Sequence, residues 1–390
     1  MDSPDRPPPG APRRSRFPVR RLVVTAERWW DARWAGRGDR TPRNFRIVAH
    51  LGHAGPTRTI VRGRVLDNVE PAAAVGGEGV RAALRRTLAR FLTRELPGVP
   101  LRIRVGDATV ELESDAEGYL DVVLDSGQPA TAGPWTDAVV ELAGPYRGVQ
   151  GGHRTPVPVR VPGPRVTFGV ISDIDDTIVH TGAQRALAMT VRTFTGSELT
   201  RTAMPGAPEL YRALARGASG DADNPVFYVS SSPWNLHGFL TSFLSHRGFP
   251  LGPLLLRDLL GTGEHRTHAT GKLTSIEEIL STHPDLRFVL LGDSGQHDPE
   301  IYAEAVRTYP GRILAAYIRE VRLDPLDGRV ETVQAGWDDA VPFVLAADSA
   351  AIARHAAESG LIAPDAVATV TDASAAEQSM TGVRMPRSPM

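Results

Sequence analysis

Acidic side chains follow an apolar run in the middle of the sequence, in the segment Asp173-Ile-Asp175-Asp176-Thr177. The run before them, from Val166 onward, is rich in branched apolar residues and predicts a buried strand. Asp173 and Asp175 are two residues apart, so their side chains lie on the same face of an extended chain. Two carboxylates this close repel each other unless a divalent cation or a bound substrate compensates their charge. The spacing therefore predicts a cation-dependent chemical site at the carboxyl end of this strand.

Three further polar segments stand where a predicted strand ends or a predicted helix begins. They are Ser230-Ser-Ser232 before Pro233, Gly271-Lys272 at the start of an amphipathic segment, and Gly292-Asp-Ser-Gly-Gln-His-Asp298 after another apolar run. Folds in which strands and helices alternate collect their ligands at the carboxyl ends of parallel strands. We therefore expect these segments to converge with Asp173 on one site.

Two carboxylates, a hydroxyl, a lysine and a further pair of acids fit phosphoryl transfer through an aspartyl-phosphate. Asp173 is predicted to be the nucleophile that attacks phosphorus, and Asp175 to act first as acid and then as base. Asp173, the main-chain carbonyl of Asp175 and Asp293 are the predicted ligands of Mg²⁺, which prefers hard oxygen ligands. Asp298 completes the predicted metal site, where it orients the metal ligands or Lys272.

The remaining polar residues of these segments are expected to bind the substrate. Lys272 and Ser230 would hold the phosphoryl oxygens and offset the charge that develops on them, so Lys272 belongs to the predicted catalytic set. Thr177 and Ser231 are further predicted substrate-binding residues, because their hydroxyls follow the predicted strands that end at Asp173 and Ser230.

Each segment also has a simpler explanation. A calcium loop starting at Asp173 would need glycine at its sixth position and glutamate at its twelfth, but Ile178 and Gln184 stand there. Ser230 could cap a helix before Pro233. The sequence has neither a Gly-x-x-x-x-Gly-Lys-Ser/Thr phosphate loop nor a Gly-x-Ser-x-Gly elbow. The ordered set of four segments, rather than any single one, favours phosphoryl transfer.

The same segments resemble, in order, the signature motifs of the haloacid dehalogenase (HAD) phosphatase superfamily. Ser172-Asp-Ile-Asp-Asp-Thr177, Val229-Ser-Ser-Ser-Pro-Trp234 and Gly292-Asp-Ser-Gly-Gln-His-Asp-Pro-Glu300 look like the catalytic domain of actin-patch-type phosphatidate phosphatases, over about residues 165–320. This resemblance implies a Rossmann-like fold, a requirement for magnesium and phosphatase activity centred on Asp173.

The resemblance also bears on the substrate. Leu254-Leu-Leu-Arg-Asp258 is similar to a segment of that family, which implies a substrate or cap contact for Arg257. The stretches that separate the motifs are too short for a large cap domain. A lightly covered site suits phosphatidate or a related lipid phosphate, but it equally suits a protein or a soluble phosphoester.

The sequence divides into four predicted regions. Residues 1–46 are basic, contain tryptophans and are expected to be partly disordered. Residues 47–163 have short strands separated by turns and one inserted helix, which predicts an all-β sandwich-like domain. Residues 164–362 alternate strands and helices and predict an α/β, Rossmann-like HAD domain with a central parallel sheet and a small cap. Residues 363–390 are expected to form a flexible tail.

The overall composition is that of a globular protein with sizeable cores. The chain has 390 residues, of which 41% are hydrophobic and 23% are charged, and its net charge of −1 gives no sign of a nucleic-acid partner. Cysteine is absent, which excludes disulfides, thiolate metal sites and cysteine nucleophiles. No apolar run reaches the roughly 18 residues of a membrane span, and no signal peptide is visible. We therefore expect a cytoplasmic protein.

Two basic features keep a peripheral membrane contact open. Apolar residues and tryptophans recur at helical spacing within residues 19–36, so this helix either docks on its own domain or lies on a membrane surface. Arginines line residues 81–94, where they form a solvated face or contact an anionic surface. A second hypothesis is therefore a lipid- or surface-binding module with an incidental phosphatase fold. The oligomeric state is left open.

Overall fold

The computed structural model describes residues 40–68, 94–125, 133–174, 204–257, 268–320 and 328–382. Two predicted site residues, Asp175 and Thr177, lie outside these ranges. So do the tryptophan-containing segment of residues 19–36 and the inserted helix that was predicted within residues 47–163. Residues 175–203 and 258–267 are also outside them, so the predicted small cap stays a prediction. Within the described residues the chain forms one mixed sheet and one separate parallel sheet, which confirms a mixed α/β architecture.

The strands before residue 161 form a mixed sheet that has eight strands within the described ranges. They are β1 (Phe45–Ala49), β2 (Gly52–Ala54), β3 (Arg58–Asp67), β4 (Pro100–Val105), β5 (Ala108–Glu113), β6 (Tyr119–Asp125), β7 (Trp135–Leu142) and β8 (Arg154–Arg160). Burial alternates along β6, as expected for a sheet with one face on a core and the other in solvent. Strand β6 branches from the hydrogen-bonded order by pairing with β3, and it also contacts β5 at the far end of that order, so the sheet is curled.

The predicted all-β sandwich is therefore not confirmed, because the strands are joined into one curled sheet rather than two stacked ones. The first strand also begins earlier than the predicted region boundary at residue 47. Phe45 and Ile47 of β1 pack in the same core as Val61 and Val65 of β3. The sequence pattern identified most of the strands, but their pairing depends on long-range contacts that the pattern does not contain.

A second sheet, in which every strand pair is parallel, follows in the chain. Its strands are β9 (Gly169–Asp173), β10 (Val226–Pro233), β11 (Leu254–Arg257), β12 (Phe288–Asp293), β13 (Ile313–Arg319) and β14 (Phe343–Ala346). Their order is β11-β10-β9-β12-β13-β14, so the chain moves outward from β9 on one side and then returns to its other side. The point between β9 and β12 is the topological switch point, where open parallel sheets bind ligands.

Strand β9 starts at Gly169 rather than at Val166 as predicted. The main-chain N–H groups of Thr167 and Phe168 donate to Oδ1 of Asn224, at 2.9 and 3.3 Å, instead of joining the sheet ladder. The apolar pattern does not show this side-chain acceptor, so it overestimates the strand.

Helices cover both faces of the parallel sheet. They are α1 (Ala207–Arg216), α2 (His237–His246), α3 (His268–Thr282), α4 (Asp298–Thr308), α5 (Arg329–Ala335), α6 (Ser349–Glu358) and α7 (Ala366–Gly382). Val170 of β9 belongs to the core beneath α1 and α2, whereas its neighbour Ile171 belongs to the core beneath α3 and α4. This alternation explains why β9 and β12 are buried throughout. No helix among the described residues is both long enough and apolar enough to cross a membrane.

The predicted flexible tail is wrong for residues 366–382, which form α7 and pack against α1 and α6. Val370 is fully buried in the core, and Oε2 of Glu377 accepts a hydrogen bond from the N–H of Gly206 at 3.0 Å. The segment is rich in alanine, which favours helix formation. Its few apolar residues were too sparse to indicate that this helix docks on the rest of the fold.

The two sheets meet at a seam of buried histidines. His50, which precedes β2, and His53, which lies in β2, face His237 of α2 and His283, which follows α3. The ring of His50 stacks on that of His237 with 4.0 Å between centroids, and Nδ1 of His53 lies 3.2 Å from Nε2 of His283. All four histidines are at most 9% exposed. The seam therefore packs best with uncharged imidazoles.

Mild acid is expected to destabilise this seam. Burial lowers the pKa of all four histidines, to about 4 for His237, and the charges of Arg62 and Arg64 lower that of His50 further. Below about pH 6.5 the unfolded chain then binds more protons than the folded one, so stability falls as pH falls. As pH falls, each histidine lowers the free energy of unfolding by about 1.4 kcal/mol per pH unit until its folded pKa is reached.

Thermal unfolding between pH 7.5 and 5.5, a range above the titration of ordinary carboxyl groups, measures this effect. We expect Tm to change little from pH 7.5 to about 6.5 and to fall below that pH, less steeply in His237→Phe, which keeps an aromatic ring in the stack. A Tm that stays constant from pH 7.5 to 5.5 would show that the seam does not exclude protons.

Candidate active site

Three buried carboxylates meet at the switch point of the parallel sheet. Asp173 is the last residue of β9, Asp293 is the last residue of β12, and Asp298 is the first residue of α4. They are 1%, 0% and 0% exposed, respectively. One carboxylate oxygen from each lies within 4.8 Å of the others, close enough to surround a single metal ion. We call these three residues the acidic cluster.

The register of the sheet and the loop before α4 bring the acidic cluster together. Leu291 of β12 pairs with Ser172 of β9, so the two strands end side by side. Beyond β12, Oδ1 of Asp293 accepts the N–H groups of Gly295 and Gln296 at 2.6 and 3.1 Å, which turns the chain toward α4. Oδ2 of Asp298 then accepts the N–H of Asp293 at 3.1 Å. The motif thus folds back on its own strand end.

Lys272 of α3 forms ion pairs with two members of the acidic cluster. Its Nζ lies 2.7 Å from Oδ1 of Asp173 and 2.7 Å from Oδ1 of Asp298, and its side chain is 4% exposed. Three carboxylates and one ammonium group leave a formal charge of −2 on these four residues. Such an excess of buried charge is costly. A divalent cation held by oxygen ligands would neutralise it, and Mg²⁺ is a cation of that class.

Lys272 is also the single lysine of the chain, because all other members of its 44 lysine and arginine residues are arginines. Lysine carries a compact ammonium group, whereas arginine carries a larger planar fork. All other basic residues of this kind are arginines. The one ammonium group stands where its Nζ lies 2.7 Å from an oxygen of each of two carboxylates. The single lysine is thus a compositional signal for the same site that the motifs indicate.

Buried hydroxyls hold the two strand ends. The Ser172 hydroxyl donates to the main-chain carbonyl of Asp173 at 2.7 Å and lies 2.5 Å from the hydroxyl of Tyr211. The Tyr302 hydroxyl donates to the carbonyl of Leu291 at 2.6 Å. Burial and the charge of nearby carboxylates raise the pKa of both tyrosines, so they remain protonated donors. The roles of the Tyr211 and Tyr302 hydroxyls could not be predicted from the sequence, because both are helix residues that belong to no motif.

The predicted substrate-binding residues lie on the strands beside β9. Ser230 is buried one residue past Val229, the residue of β10 that pairs with Asp173, and its Oγ accepts the N–H of Ser232 at 2.9 Å. Ser231 is half-buried on the same strand. Arg257 is half-buried at the end of β11, one strand farther from β9. Their roles in substrate binding stay predictions, as do those of Asp175 and Thr177.

Gly292 is needed so that α4 can approach β12. A Cβ atom at this position would lie 2.7 Å from Oδ2 of Asp298 and 2.9 Å from Cε2 of Tyr302. We expect Gly292→Ala to displace Asp298 and, through it, Lys272. Misplacement of catalytic groups by about 1 Å can cost about 100-fold in rate, so kcat should fall by roughly 10- to 100-fold.

The matched control is Gly336→Ala, because the nearest atom to a Cβ there is 3.9 Å away. We expect this control to keep the wild-type kcat and Tm. Both variants would be compared by phosphate release and by thermal unfolding. Wild-type kcat in Gly292→Ala would mean that the contact between Gly292 and Asp298 does not position the site.

Comparison with known proteins assigns this part of the chain to a family. Residues 168–320 match the family model described as "Phosphatidate phosphatase APP1, catalytic domain". This segment belongs to the APP1 catalytic-domain family. The match confirms the resemblance that the motifs indicated. The described residues of the site, Asp173, Ser230, Lys272, Asp293 and Asp298, all fall inside the APP1 catalytic-domain segment.

Two curated relatives share part of their sequence with this chain. It is 29% identical to Phosphatidate phosphatase APP1 of Saccharomyces cerevisiae over 251 residues, which cover 60% of this chain and 40% of the yeast protein. It is 30% identical to an uncharacterized protein of Schizosaccharomyces pombe over 160 residues, which cover 40% of this chain and 26% of that protein. The chain therefore spans less than half the length of either relative.

Among solved structures, a carbohydrate acetylesterase from Xanthomonas citri aligns over 77% of this chain and 68% of its own. The sequence identity is 11% and the TM-score is 0.26. A likeness this weak supports no conclusion about the fold or the activity. The APP1 catalytic-domain match and the geometry of the acidic cluster are therefore the basis of the functional proposal.

Proposed function

We propose that this protein is a Mg²⁺-dependent phosphatase that hydrolyses a phosphomonoester, with phosphatidate or a related lipid phosphate as its substrate. The observation that supports this proposal most strongly is the ion-paired Lys272 between Asp173 and Asp298, at the carboxyl ends of the parallel strands. The strand order, with its switch point between β9 and β12, fits a Rossmann-like domain of the HAD type. The match to the APP1 catalytic-domain family favours the same activity.

The acidic cluster fits a magnesium ion. Asp173 and Asp293 would hold it, together with the expected main-chain carbonyl of Asp175. Asp298 already receives Lys272 on one oxygen and the N–H of Asp293 on the other, so we assign it to orienting these two groups. When bound, Mg²⁺ would offset the negative charge of the phosphoryl oxygens.

The first chemical step is transfer of the phosphoryl group to the protein. An oxygen of the Asp173 carboxylate attacks phosphorus, and the bond between phosphorus and the substrate alkoxide breaks. Asp175 donates its proton to the leaving alkoxide. Lys272 holds a phosphoryl oxygen while its charge develops, and Ser230 donates a hydrogen bond to another. The product of this step is an aspartyl-phosphate at Asp173 and a free alcohol.

The second step returns the carboxylate. Asp175, now ionised, removes a proton from water, which attacks phosphorus and breaks the bond to the Asp173 oxygen. Inorganic phosphate leaves, and both acids regain their starting protonation states. The step therefore needs no further co-reactant.

A panel of phosphoesters tests this proposal. Phosphate release would be measured with phosphatidate in mixed micelles, with p-nitrophenyl phosphate and with a phosphoserine peptide, each with Mg²⁺ or with EDTA. We expect hydrolysis with Mg²⁺, its loss in EDTA and the highest kcat/KM for phosphatidate. A higher kcat/KM for the peptide or the soluble ester would contradict the lipid assignment. Binding to phosphatidate vesicles without hydrolysis of any ester would overturn the enzyme proposal.

A further inference from the structure

The helix that contains Lys272 is held at its other end by the N-terminal sheet. Arg62 of β3 crosses the seam and binds Glu278 of α3 through two parallel hydrogen bonds, 2.8 Å from Nη1 to Oε1 and 2.5 Å from Nη2 to Oε2. Nε2 of His53 lies 3.4 Å from the same carboxylate. A paired fork of this kind fixes the direction of a side chain as well as its distance.

The backbone also comes close at this end of α3. A Cβ atom on Gly55, which follows β2, would lie 1.6 Å from the main-chain oxygen of Thr282. His53 contacts His283 directly after the helix. The ion pair, the histidine pair and the glycine contact thus attach the second half of α3 to the N-terminal sheet.

The geometry of an α-helix links this attachment to the site. Glu278 is six positions after Lys272, so their side chains are about 9 Å apart along the axis and about 120° apart around it. One face of α3 therefore reaches the acidic cluster while another reaches Arg62. A change in the rotation or the axial position of α3 at Glu278 would move the ammonium group of Lys272.

Electrostatics keeps the attachment charged. Burial would raise the pKa of Glu278, but hydrogen bonds from His53 and Arg62 outweigh this effect and lower it to about 2. Arg62 also binds Asp121 of β6 within its own sheet, with 3.0 Å between Nε and Oδ2. The Glu278 side chain is 26% exposed, whereas that of Asp121 is 59% exposed. One arginine thus has a partner across the seam and another on its own side.

We propose that Arg62 and Glu278 are positioning residues, through which the N-terminal sheet holds α3 so that Lys272 stays between Asp173 and Asp298. The sheet then contributes to the site without touching the substrate. The kinetic consequence rests on the proposed phosphatase function, but the position of Lys272 can be measured without turnover.

The single lysine of the chain allows that measurement directly. Protein grown with lysine labelled at ¹³Cε gives one lysine side-chain signal in an NMR spectrum. We expect Glu278→Gln, which keeps the shape of the side chain, to shift or broaden this signal. Asp121→Asn removes the other partner of Arg62 and should leave it unchanged. An unshifted signal in Glu278→Gln, or equal shifts in both variants, would overturn the proposal.

Kinetics provides the second readout. Misplacement of Lys272 weakens an interaction with the developing charge, so Glu278→Gln should lower kcat by roughly 10-fold or more and change KM little. Arg62→Gln should have the same effect, and the double variant should lose no more than either single one, because all three break one ion pair. Additive losses, or a wild-type kcat at temperatures where circular dichroism shows folded protein, would contradict the proposal. A wild type that hydrolyses no phosphoester would instead reject the proposed function and leave the NMR result standing.

Discussion

Asp173→Asn is expected to reduce phosphoester hydrolysis by on the order of 10⁴-fold or more, the scale seen when a covalent nucleophile is removed. The amide cannot form the bond to phosphorus that the carboxylate forms. Its geometry is nearly the same, so the fold is retained. Phosphate release with saturating Mg²⁺ would measure the effect.

The Tm of Asp173→Asn distinguishes a loss of catalysis from a loss of folded structure. The acidic cluster and Lys272 have a formal charge of −2, so replacement of one carboxylate by an amide relieves repulsion while Lys272 keeps its ion pair with Asp298. We expect Tm in the absence of Mg²⁺ to stay the same or to rise. Asp223→Asn, on a loop that pairs with Arg165, is the control and should keep wild-type activity. Equal rates for Asp173→Asn and wild type would exclude Asp173 as the nucleophile.

Lys272→Met is expected to lower kcat by about 10²- to 10³-fold, the usual loss when one charge-stabilising group is removed from a buried site. Methionine has a similar length but no charge, so the described residues of the cluster would then have three carboxylates without their ammonium partner. Their repulsion should lower Tm in EDTA, and added Mg²⁺ should raise Tm more than it does in wild type.

Lys272→Arg separates charge from position. The guanidinium group keeps the positive charge but is larger than the ammonium group that lies 2.7 Å from two carboxylates. We expect this variant to regain most of the lost Tm but only a small part of kcat. Full activity in Lys272→Arg would show that any positively charged side chain suffices at position 272, so that lysine itself would not be required there.

Much of the catalytic region could be predicted from local pattern. Apolar runs that end in acids or hydroxyls gave the strands that contain Asp173, Ser230 and Asp293, because a buried parallel strand needs such residues and its end faces the ligand. The ends of the strands that contain Asp173 and Asp293 lie together with Lys272 and Asp298, and the place of Ser230 in the site stays a prediction. The ordered motifs contained enough information for this part of the site.

The rest depends on contacts between residues far apart in the chain. Nothing near Tyr211 indicates that its hydroxyl lies beside Ser172, and nothing near Glu278 indicates Arg62, which is 216 residues away. The curled sheet and the docking of α7 through Val370 likewise depend on contacts between residues far apart in the chain. Periodicity shows which face of an element is apolar, but it does not show what covers that face.

The most direct test of the central claim is to trap the phosphorylated protein. Wild type would be mixed with substrate and Mg²⁺, quenched within one turnover and treated with borohydride, which reduces an aspartyl-phosphate to homoserine. Mass spectrometry of the peptides is predicted to find this conversion at Asp173 in wild type and not in Asp173→Asn. Rapid phosphate release with no modified residue at position 173, or with the modification at Asp293 or Asp298, would contradict the account.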